Sequence, residues 1–181
     1  MKAILVNEDR SLRWDYVPDP VLGVDDCLVK IEAAALNRAD LMQREGDYPP
    51  PPGCPQWMGL EIAGTIVEIA EGAKEKSDWK IGDKVCALLG GGGYAEYANV
   101  KYDMLMPVPE NCSMIEAAAI PEAFATAYLN LFYVGDISEK DLKEDLKLKL
   151  QRYMLPNTIK QLEAMPLTAT GKINRVLLKE N

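Results

Sequence analysis

The 181-residue chain contains no histidine and only four cysteines, so the side chains that most often bind transition metals are scarce. The cysteines are widely spaced, and none of them forms a C-x-x-C pair: Cys27, Cys54, Cys86 and Cys112. This spacing argues against a zinc site and against a disulfide framework. It favours a reduced, cytoplasmic setting, and we predict no metal.

Positive charge is also scarce, with 20 Lys and Arg against 28 Asp and Glu and a net charge of −8. The sequence therefore offers no broad basic surface for nucleic acid or for anionic lipid. The apolar run at 3–6 is too short for a secretory signal and leads into polar residues. The longest apolar stretch, 114–134, contains Glu116, Pro121 and Glu122, so we predict no membrane-spanning helix and no membrane partner.

Glycine is absent between Gly135 and Gly171, and the composition changes at the same point. Residues 1–135 carry a net charge of −10 and contain every tryptophan and cysteine, whereas residues 136–181 carry +2. A change this sharp indicates a boundary near Gly135.

Residues 1–135 are expected to be mainly strands. Short runs rich in Val, Ile and Ala predict strands at 2–6, 27–33, 61–70, 84–89 and 94–100. Segments rich in Gly and Pro separate these runs and predict turns between them. Many short strands joined by such turns are typical of a β-sandwich or a small barrel.

Helices are expected at a few places. The segment 37–44 predicts a short helix that ends at Gly46, and Ser113 with Glu116 predicts a capping box that opens another. Pro121 is expected to start the helix that follows. In the tail, 136–181, we predict a helix after Ser138, then a strand and a loop, which together make a small α+β unit.

Four consecutive glycines at 90–93 raise the question of a phosphate-binding turn. Such a turn needs glycines that open a helix after a strand. Here the glycines precede YAEYANV, which alternates like a strand, so we interpret them as a flexible turn. The dinucleotide fingerprint G-x-G-x-x-G is absent from the chain, and no Rossmann domain is expected.

Four segments occur in a characteristic order: ALNRADLMQREGDYPPPPG at 35–53, GLEIAGTIVEI at 59–69, WKIGDKVCALLGGGGYAEYANV at 79–100 and MPVPENCSMIEAAAIPEAFATAY at 106–128. Together they resemble the catalytic half of the medium-chain dehydrogenases/reductases. The resemblance is greatest to the zinc-independent NADPH:quinone oxidoreductases of the zeta-crystallin type, and it covers about residues 1–135. It implies a GroES-like β-barrel with helices.

The same resemblance implies a set of site residues. Asn37 and Asp40 would line the cleft beside the nicotinamide, with Arg38 also on the cofactor side. Tyr48, on a proline-rich loop, would hydrogen-bond or gate the substrate, and Thr126 would contact the nicotinamide. Of these, Asn37, Asp40 and Tyr48 are the candidate catalytic residues. Glu61 is expected to be a structural polar residue of the cleft.

The chain departs from the zinc-containing branch that it otherwise resembles. Zinc alcohol dehydrogenases place a cysteine in the segment that here begins at Asn37, and a histidine before the glutamate that here is Glu61. This chain has Leu60 before Glu61 and no histidine. The resemblance therefore implies zinc-independent hydride transfer from NADPH to a small-molecule quinone or enone, whose developing oxyanion the protein stabilises.

The tail, 136–181, resembles the C-terminal end of adenylate-forming enzymes, on LQRYMLP and MPLTATGKINR. There the loop lysine that matches Lys172 contacts the substrate carboxylate and the α-phosphate. Asn174 replaces the usual aspartate, and the large ATP-binding domain of that family is missing. The chain therefore reads as a chimera of two sequences.

Three hypotheses remain open from the sequence. The chain could be the substrate-side domain of a quinone oxidoreductase, with very weak NADPH binding because the nucleotide-binding domain is missing. It could be a non-catalytic barrel module whose open strand edges make it a homo-oligomer. The third hypothesis is acyl-adenylate formation through Lys172, although one lysine cannot assemble an ATP site.

Overall fold

The computed structural model describes residues 1–134. Lys172 and the predicted helix, strand and loop of the tail lie outside the described residues. The chain divides into two compact units, Met1–Ala125 and Thr126–Asn181, and this division falls earlier in the chain than the predicted boundary at Gly135.

The described residues form mainly strands, with a few short helices. The strands are β1 (Lys2–Val6), β2 (Leu12–Tyr16), β3 (Asp26–Ala34), β4 (Glu61–Ile69), β5 (Lys84–Leu88), β6 (Tyr97–Lys101) and β7 (Leu105–Pro107). The helices are α1 (Arg38–Glu45), α2 (Glu71–Lys76), α3 (Met114–Ala118) and α4 (Pro121–Tyr128). A 3-10 turn covers Tyr102–Met104, and a π-helical segment covers Leu129–Val134.

Five strands form one antiparallel sheet in the order β6-β3-β4-β5-β7. Its centre is the long pair β3 and β4, and these strands supply fully buried branched side chains such as Val29, Ile62 and Ile66. Branched apolar residues pack well on a pleated surface, which explains why these segments form the core of the sheet.

A separate hairpin of β1 and β2 joins this sheet through the segment just before β6. Ala3 forms an isolated bridge with Ala95, and the Ile4 N–H donates to the Tyr94 carbonyl at 2.8 Å. The predicted strand at 94–100 begins only at Tyr97; the residues before it bond to β1, and the Glu96 N–H donates to the Lys2 carbonyl at 3.1 Å.

All five predicted strands are present, and two further strands were missed. β2 reads LRWDY, whose alternation of apolar and charged residues is a strand signal. β7 has only three residues and ends at Pro107, so its pattern is too short to stand out. The short helix α2 was also missed, because Gly72 lies within it and glycine disfavours helix.

The local helix signals are confirmed. The first helix runs from Arg38 to Glu45, and Gly46 ends it with a φ of 90°. The capping box before α3 is present, since the Ser113 N–H donates to Glu116 Oε2 at 2.8 Å and the Glu116 N–H donates to Ser113 Oγ at 3.3 Å. Within residues 1–134, no helix has both the length and the apolar character needed to cross a membrane.

Candidate functional site

Two carboxylates lie inside the first unit, and they are the only buried charged side chains of residues 1–134. Asp40, on α1, is 3% exposed, and Glu61, at the start of β4, is 2% exposed. A buried carboxylate is costly unless it accepts several hydrogen bonds. The donors around the two carboxylates therefore define the site.

Asp40 accepts hydrogen bonds from three parts of the chain. Its Oδ2 accepts from the Asn37 N–H at 2.7 Å and from the Tyr94 hydroxyl at 2.7 Å. Its Oδ1 accepts from the Gly59 N–H at 3.2 Å. Asp40 thus reaches back to the start of its own helix and also fixes that helix to the segments before β4 and β6.

Tyr94 supplies the side-chain donor of this group. Its hydroxyl lies 2.7 Å from Asp40 Oδ2 and 3.2 Å from the Ala35 carbonyl. Burial raises the pKa of the Tyr94 hydroxyl well above its ordinary value, and the hydrogen bond to Asp40 raises it further. The hydroxyl therefore remains protonated and donates to Asp40 throughout the neutral range.

Glu61 connects the start of α1 to the start of α4. Its Oε1 accepts from Asn37 Nδ2 at 2.9 Å, and its Oε2 accepts from the Glu122 N–H at 2.8 Å. Glu122 follows Pro121, which begins α4, so this N–H is one of the donors that a helix leaves unpaired at its N-terminus. A carboxylate there is also favoured by the helix dipole. The expectation that Glu61 is structural agrees with these contacts.

Asn37 is the residue that both carboxylates share. Its backbone N–H donates to Asp40 and its side-chain amide donates to Glu61. The group of hydrogen-bonded side chains around the two buried carboxylates, which we call the carboxylate network, therefore consists of Asn37, Asp40, Glu61 and Tyr94. It holds the N-terminal ends of α1 and α4 against the start of β4.

The glycine run at 90–93 packs against the proline-rich loop, and Gly91, Gly92 and Gly93 are buried. The Gly92 N–H donates to the Trp57 carbonyl at 2.8 Å, and Trp57 Nε1 donates to the Gly92 carbonyl at 3.1 Å. The run is a turn that leads toward β6, as expected, but it is tightly packed, because glycine has no side chain and lets the loop approach its backbone closely.

The same packing bears on whether a nicotinamide dinucleotide fits here. A Cβ at Gly91 would meet the Pro55 carbonyl oxygen at 2.9 Å, so the chain's own loop occupies the space over these glycines. The run therefore does not form a diphosphate cradle. The amide of Asn37 and the exposed guanidinium of Arg38 suit the polar carboxamide end of such a cofactor.

The predicted site residues fall into separate groups. Asn37 and Asp40 lie together in the carboxylate network. Arg38 is exposed at the first position of α1, and Tyr48, 41% exposed, lies on the loop that follows α1. Thr126 lies in the second unit, near the end of α4, where its carbonyl accepts from Asn130 Nδ2 at 2.8 Å.

Sequence reasoning missed Tyr94 and the Gly59 N–H. Both contact Asp40 across long separations in the chain, so no local pattern identifies them. Gly59 has a φ of 107°, and a glycine just before a predicted strand is the one local signal that could have identified it. Within residues 1–134, no group of three or more His, Cys, Asp and Glu is placed to hold a metal ion.

Residues 23–110 match the family model described as the alcohol dehydrogenase GroES-like domain. The chain is 37% identical over 118 residues to the synaptic vesicle membrane protein VAT-1 homolog of Danio rerio, which covers 65% of this chain and 24% of that protein. It is 34% identical over 164 residues to an alcohol dehydrogenase of Geobacillus stearothermophilus, covering 75% of this chain and 48% of the enzyme.

The fold is similar to that of a solved quinone oxidoreductase from Thermus thermophilus, whose structures include a complex with NADPH. The TM-score is 0.58 at 34% identity, over 75% of this chain and 41% of the other. The chain therefore spans less than half the length of each of these relatives. The residues that match the family model include the five-stranded sheet and the four residues of the carboxylate network.

Proposed function

We propose that the chain is the substrate-side domain of an NADPH-dependent quinone or enone oxidoreductase of the medium-chain dehydrogenase/reductase superfamily, because residues 23–110 match the alcohol dehydrogenase GroES-like domain and the fold is similar to that of a quinone oxidoreductase. The observation that carries the proposal is the carboxylate network, which fixes the N-terminal end of α1, the helix that the Tyr48 loop follows. Both carboxylates are buried and both accept hydrogen bonds on each oxygen, so the structure holds two charged groups at one place where burial alone would be unfavourable.

In this proposal the residues at the start of α1 have separate roles. Asn37 and Arg38 would hold the nicotinamide end of the cofactor, and the nicotinamide contact of Thr126 that the resemblance implies stays a separate prediction. NADPH, when bound, supplies the hydride. Asp40 is buried and already accepts three hydrogen bonds, so we assign it a positioning role: it fixes the N-terminus of α1, and with it Asn37.

Tyr48 is the proposed contact to substrate. It lies two residues beyond Gly46, the residue that ends α1, and its side chain is 41% exposed. A phenol can donate a hydrogen bond to a carbonyl oxygen and strengthen that bond as negative charge develops there. This is the interaction that reduction of a quinone or an enone requires, and it needs no metal, so we propose that the reaction is zinc-independent.

The proposal includes an incomplete cofactor site. The chain spans less than half of its relatives, and its one glycine run is filled by its own loop. Most of the affinity for a nicotinamide dinucleotide comes from its phosphates at a helix N-terminus. We therefore expect the chain alone to bind NADPH very weakly and to turn over little.

Further parts of the proposal concern the setting and the tail. All four cysteines are free thiols in the structure, and two of them, Cys27 and Cys86, are buried, which supports a reduced cytoplasmic setting. We retain the division into a substrate-side domain at 1–135 and a tail at 136–181 that resembles the end of adenylate-forming enzymes. Adenylation through Lys172 stays a prediction outside the described residues.

Quinone binding by the full chain tests the proposal. Phenanthrenequinone is a suitable probe because it has no open ring position at which the four thiols could add. It would be titrated into wild type, Tyr48→Phe and Tyr97→Phe, with tryptophan fluorescence as the readout. We expect saturable binding that weakens about tenfold in Tyr48→Phe, the loss of one substrate hydrogen bond, and is unchanged in Tyr97→Phe. Absence of saturable binding by the wild type would refute the proposal.

A further inference from the structure

The hairpin of β1 and β2 ends in an open strand edge. Within the part of the chain that the structure describes, β2 pairs with β1 alone, and all five of its residues are exposed. Leu12, Trp14 and Tyr16 are 48%, 51% and 74% exposed. Exposed edges of this kind are usually covered or protected, because they offer backbone groups to any other strand.

The register shows which backbone groups face outward. Met1 and Val17 exchange hydrogen bonds in both directions, and the Asn7 N–H donates to the Ser11 carbonyl, so the odd-numbered residues of β2 are the ones bonded to β1. In an antiparallel ladder the alternate residues turn their N–H and C=O the other way. The backbone groups of Leu12, Trp14 and Tyr16 therefore point out of the edge.

The sequence of β2 complements itself when it is reversed. In an antiparallel pair centred on Trp14, Leu12 faces Tyr16 of a second copy, and Arg13 faces Asp15. All the outward-pointing residues then oppose one another, which allows six backbone hydrogen bonds in the three bonded pairs. One of these donors, the Tyr16 N–H, donates to Asp15 Oδ1 at 2.8 Å within the single chain. In the dimer it would donate to the Leu12 carbonyl of the second copy instead.

The charges and the rings fit the same arrangement. Arg13 and Asp15 already lie 3.1 Å apart within one strand, with side chains 46% and 51% exposed. Pairing across a two-fold axis places Arg13 of one copy opposite Asp15 of the other, and Asp15 opposite Arg13. Charged residues usually prevent an edge strand from pairing, but here they favour pairing with one partner in one register. On the other face, the two Trp14 rings would be neighbours across the axis.

We propose that β2 is a homodimerisation edge, at which two copies of this chain join their hairpins into one continuous antiparallel sheet about a two-fold axis at Trp14. The occupant is a second copy because the strand matches its own reverse in hydrogen bonding, in charge and in apolar character. An edge of five residues buries little surface, so the dimer forms in a concentration-dependent equilibrium.

Charge reversal tests this register directly. Arg13→Asp gives a strand with two acidic residues, and Asp15→Arg gives a strand with two basic ones. Each variant alone would place like charges opposite each other, whereas a mixture of the two would again pair opposite charges. The side chains are exposed, so both variants are expected to fold, which circular dichroism would verify.

The measurement is sedimentation velocity of the full chain over roughly 1 to 200 µM, the range in which a small interface dissociates. We expect wild type to dimerise, each variant alone to dimerise at least about tenfold more weakly, and the equimolar mixture to recover the wild-type constant. Added salt should strengthen the self-association of each single variant, because it screens the repulsion.

Two results would overturn the proposal. A wild type that stays monomeric over the whole range would mean that something else covers the edge, such as the tail of the same chain. A dimer that neither variant weakens, or that the mixture does not restore, would mean that copies associate through another surface. These outcomes do not depend on quinone or NADPH binding, so they test the edge separately from the proposed function.

Discussion

Removing the Tyr94 hydroxyl tests whether the carboxylate network holds the domain together. In Tyr94→Phe, Asp40 loses one of its three donors but keeps the Asn37 and Gly59 N–H groups. A hydrogen bond to a buried charged group contributes about 1.5–3 kcal/mol, so the free energy of unfolding should fall by that amount. The urea concentration at the midpoint of unfolding should decrease, whereas the dependence of the free energy of unfolding on urea concentration should change little, because the surface exposed on unfolding is nearly unchanged.

A matched control and a double variant separate this hydrogen bond from general effects of losing a hydroxyl. Tyr97→Phe removes a hydroxyl from β6, where it makes no hydrogen bond within residues 1–134, and should cost less than about 0.5 kcal/mol. In Asp40→Asn the effect of Tyr94→Phe should shrink by about 1 kcal/mol or more, since the two groups interact directly. If Tyr94→Phe is as mild as Tyr97→Phe, the reasoning is refuted.

Three further predictions follow from the same contacts. Gly59→Ala should cost more than about 3 kcal/mol in urea denaturation, because its Cβ would lie 2.3 Å from a backbone nitrogen, whereas Gly53→Ala, with open space around it, should cost only the ~1–2 kcal/mol of its positive φ; equal costs would contradict this. Asn37→Asp should cost about 3 kcal/mol or more, because it replaces the donor to buried Glu61 with a like charge; a neutral effect would exclude that contact. Burial raises the pKa of Cys27 from 9.0 to about 11, so the neutral thiol contributes its full stabilisation of the fold below pH 9, and on the order of 1–2 kcal/mol of the free energy of unfolding is lost as the pH rises toward 11. Cys27→Ala should make the free energy of unfolding fall less steeply over this pH range, and an unchanged pH dependence would contradict the prediction.

Local signals predicted much of the fold. A helix was expected at 37–44 with Gly46 ending it, and it is observed at 38–45; the capping box at Ser113 lies within four residues. Each of these features depends on backbone groups within one or two turns, so the residues that form them are visible side by side in the sequence.

The site was harder to predict, because its contacts join distant segments. Tyr94 and Asp40 are separated by 54 residues, and Glu61 meets the backbone of Glu122 across 61. Which residues meet at such distances is set by strand register and by the close approach of two glycine-containing segments, which a local pattern does not encode. Resemblance identified Asn37 and Asp40, but only the structure shows that Asp40 is buried and engaged.

For the hairpin of β1 and β2, the sequence pattern indicates the strand but not the partner that pairs with its open edge. Its second strand alternates apolar and charged residues as a strand should, yet both of its faces are exposed. A pattern of that kind indicates a strand without indicating what covers it. The fold alone leaves the partner open, and the charges of Arg13 and Asp15 are what specify one.

The most direct test of the central claim is a calorimetric titration of the purified full chain with NADPH, with phenanthrenequinone-dependent NADPH oxidation measured on the same sample. If the chain is a substrate-side domain whose glycine run is filled by its own loop, no saturable binding should occur at micromolar NADPH and turnover should be very low. Saturable micromolar binding with turnover would contradict the account, because it would require a phosphate site within this chain or one supplied by its partner copy.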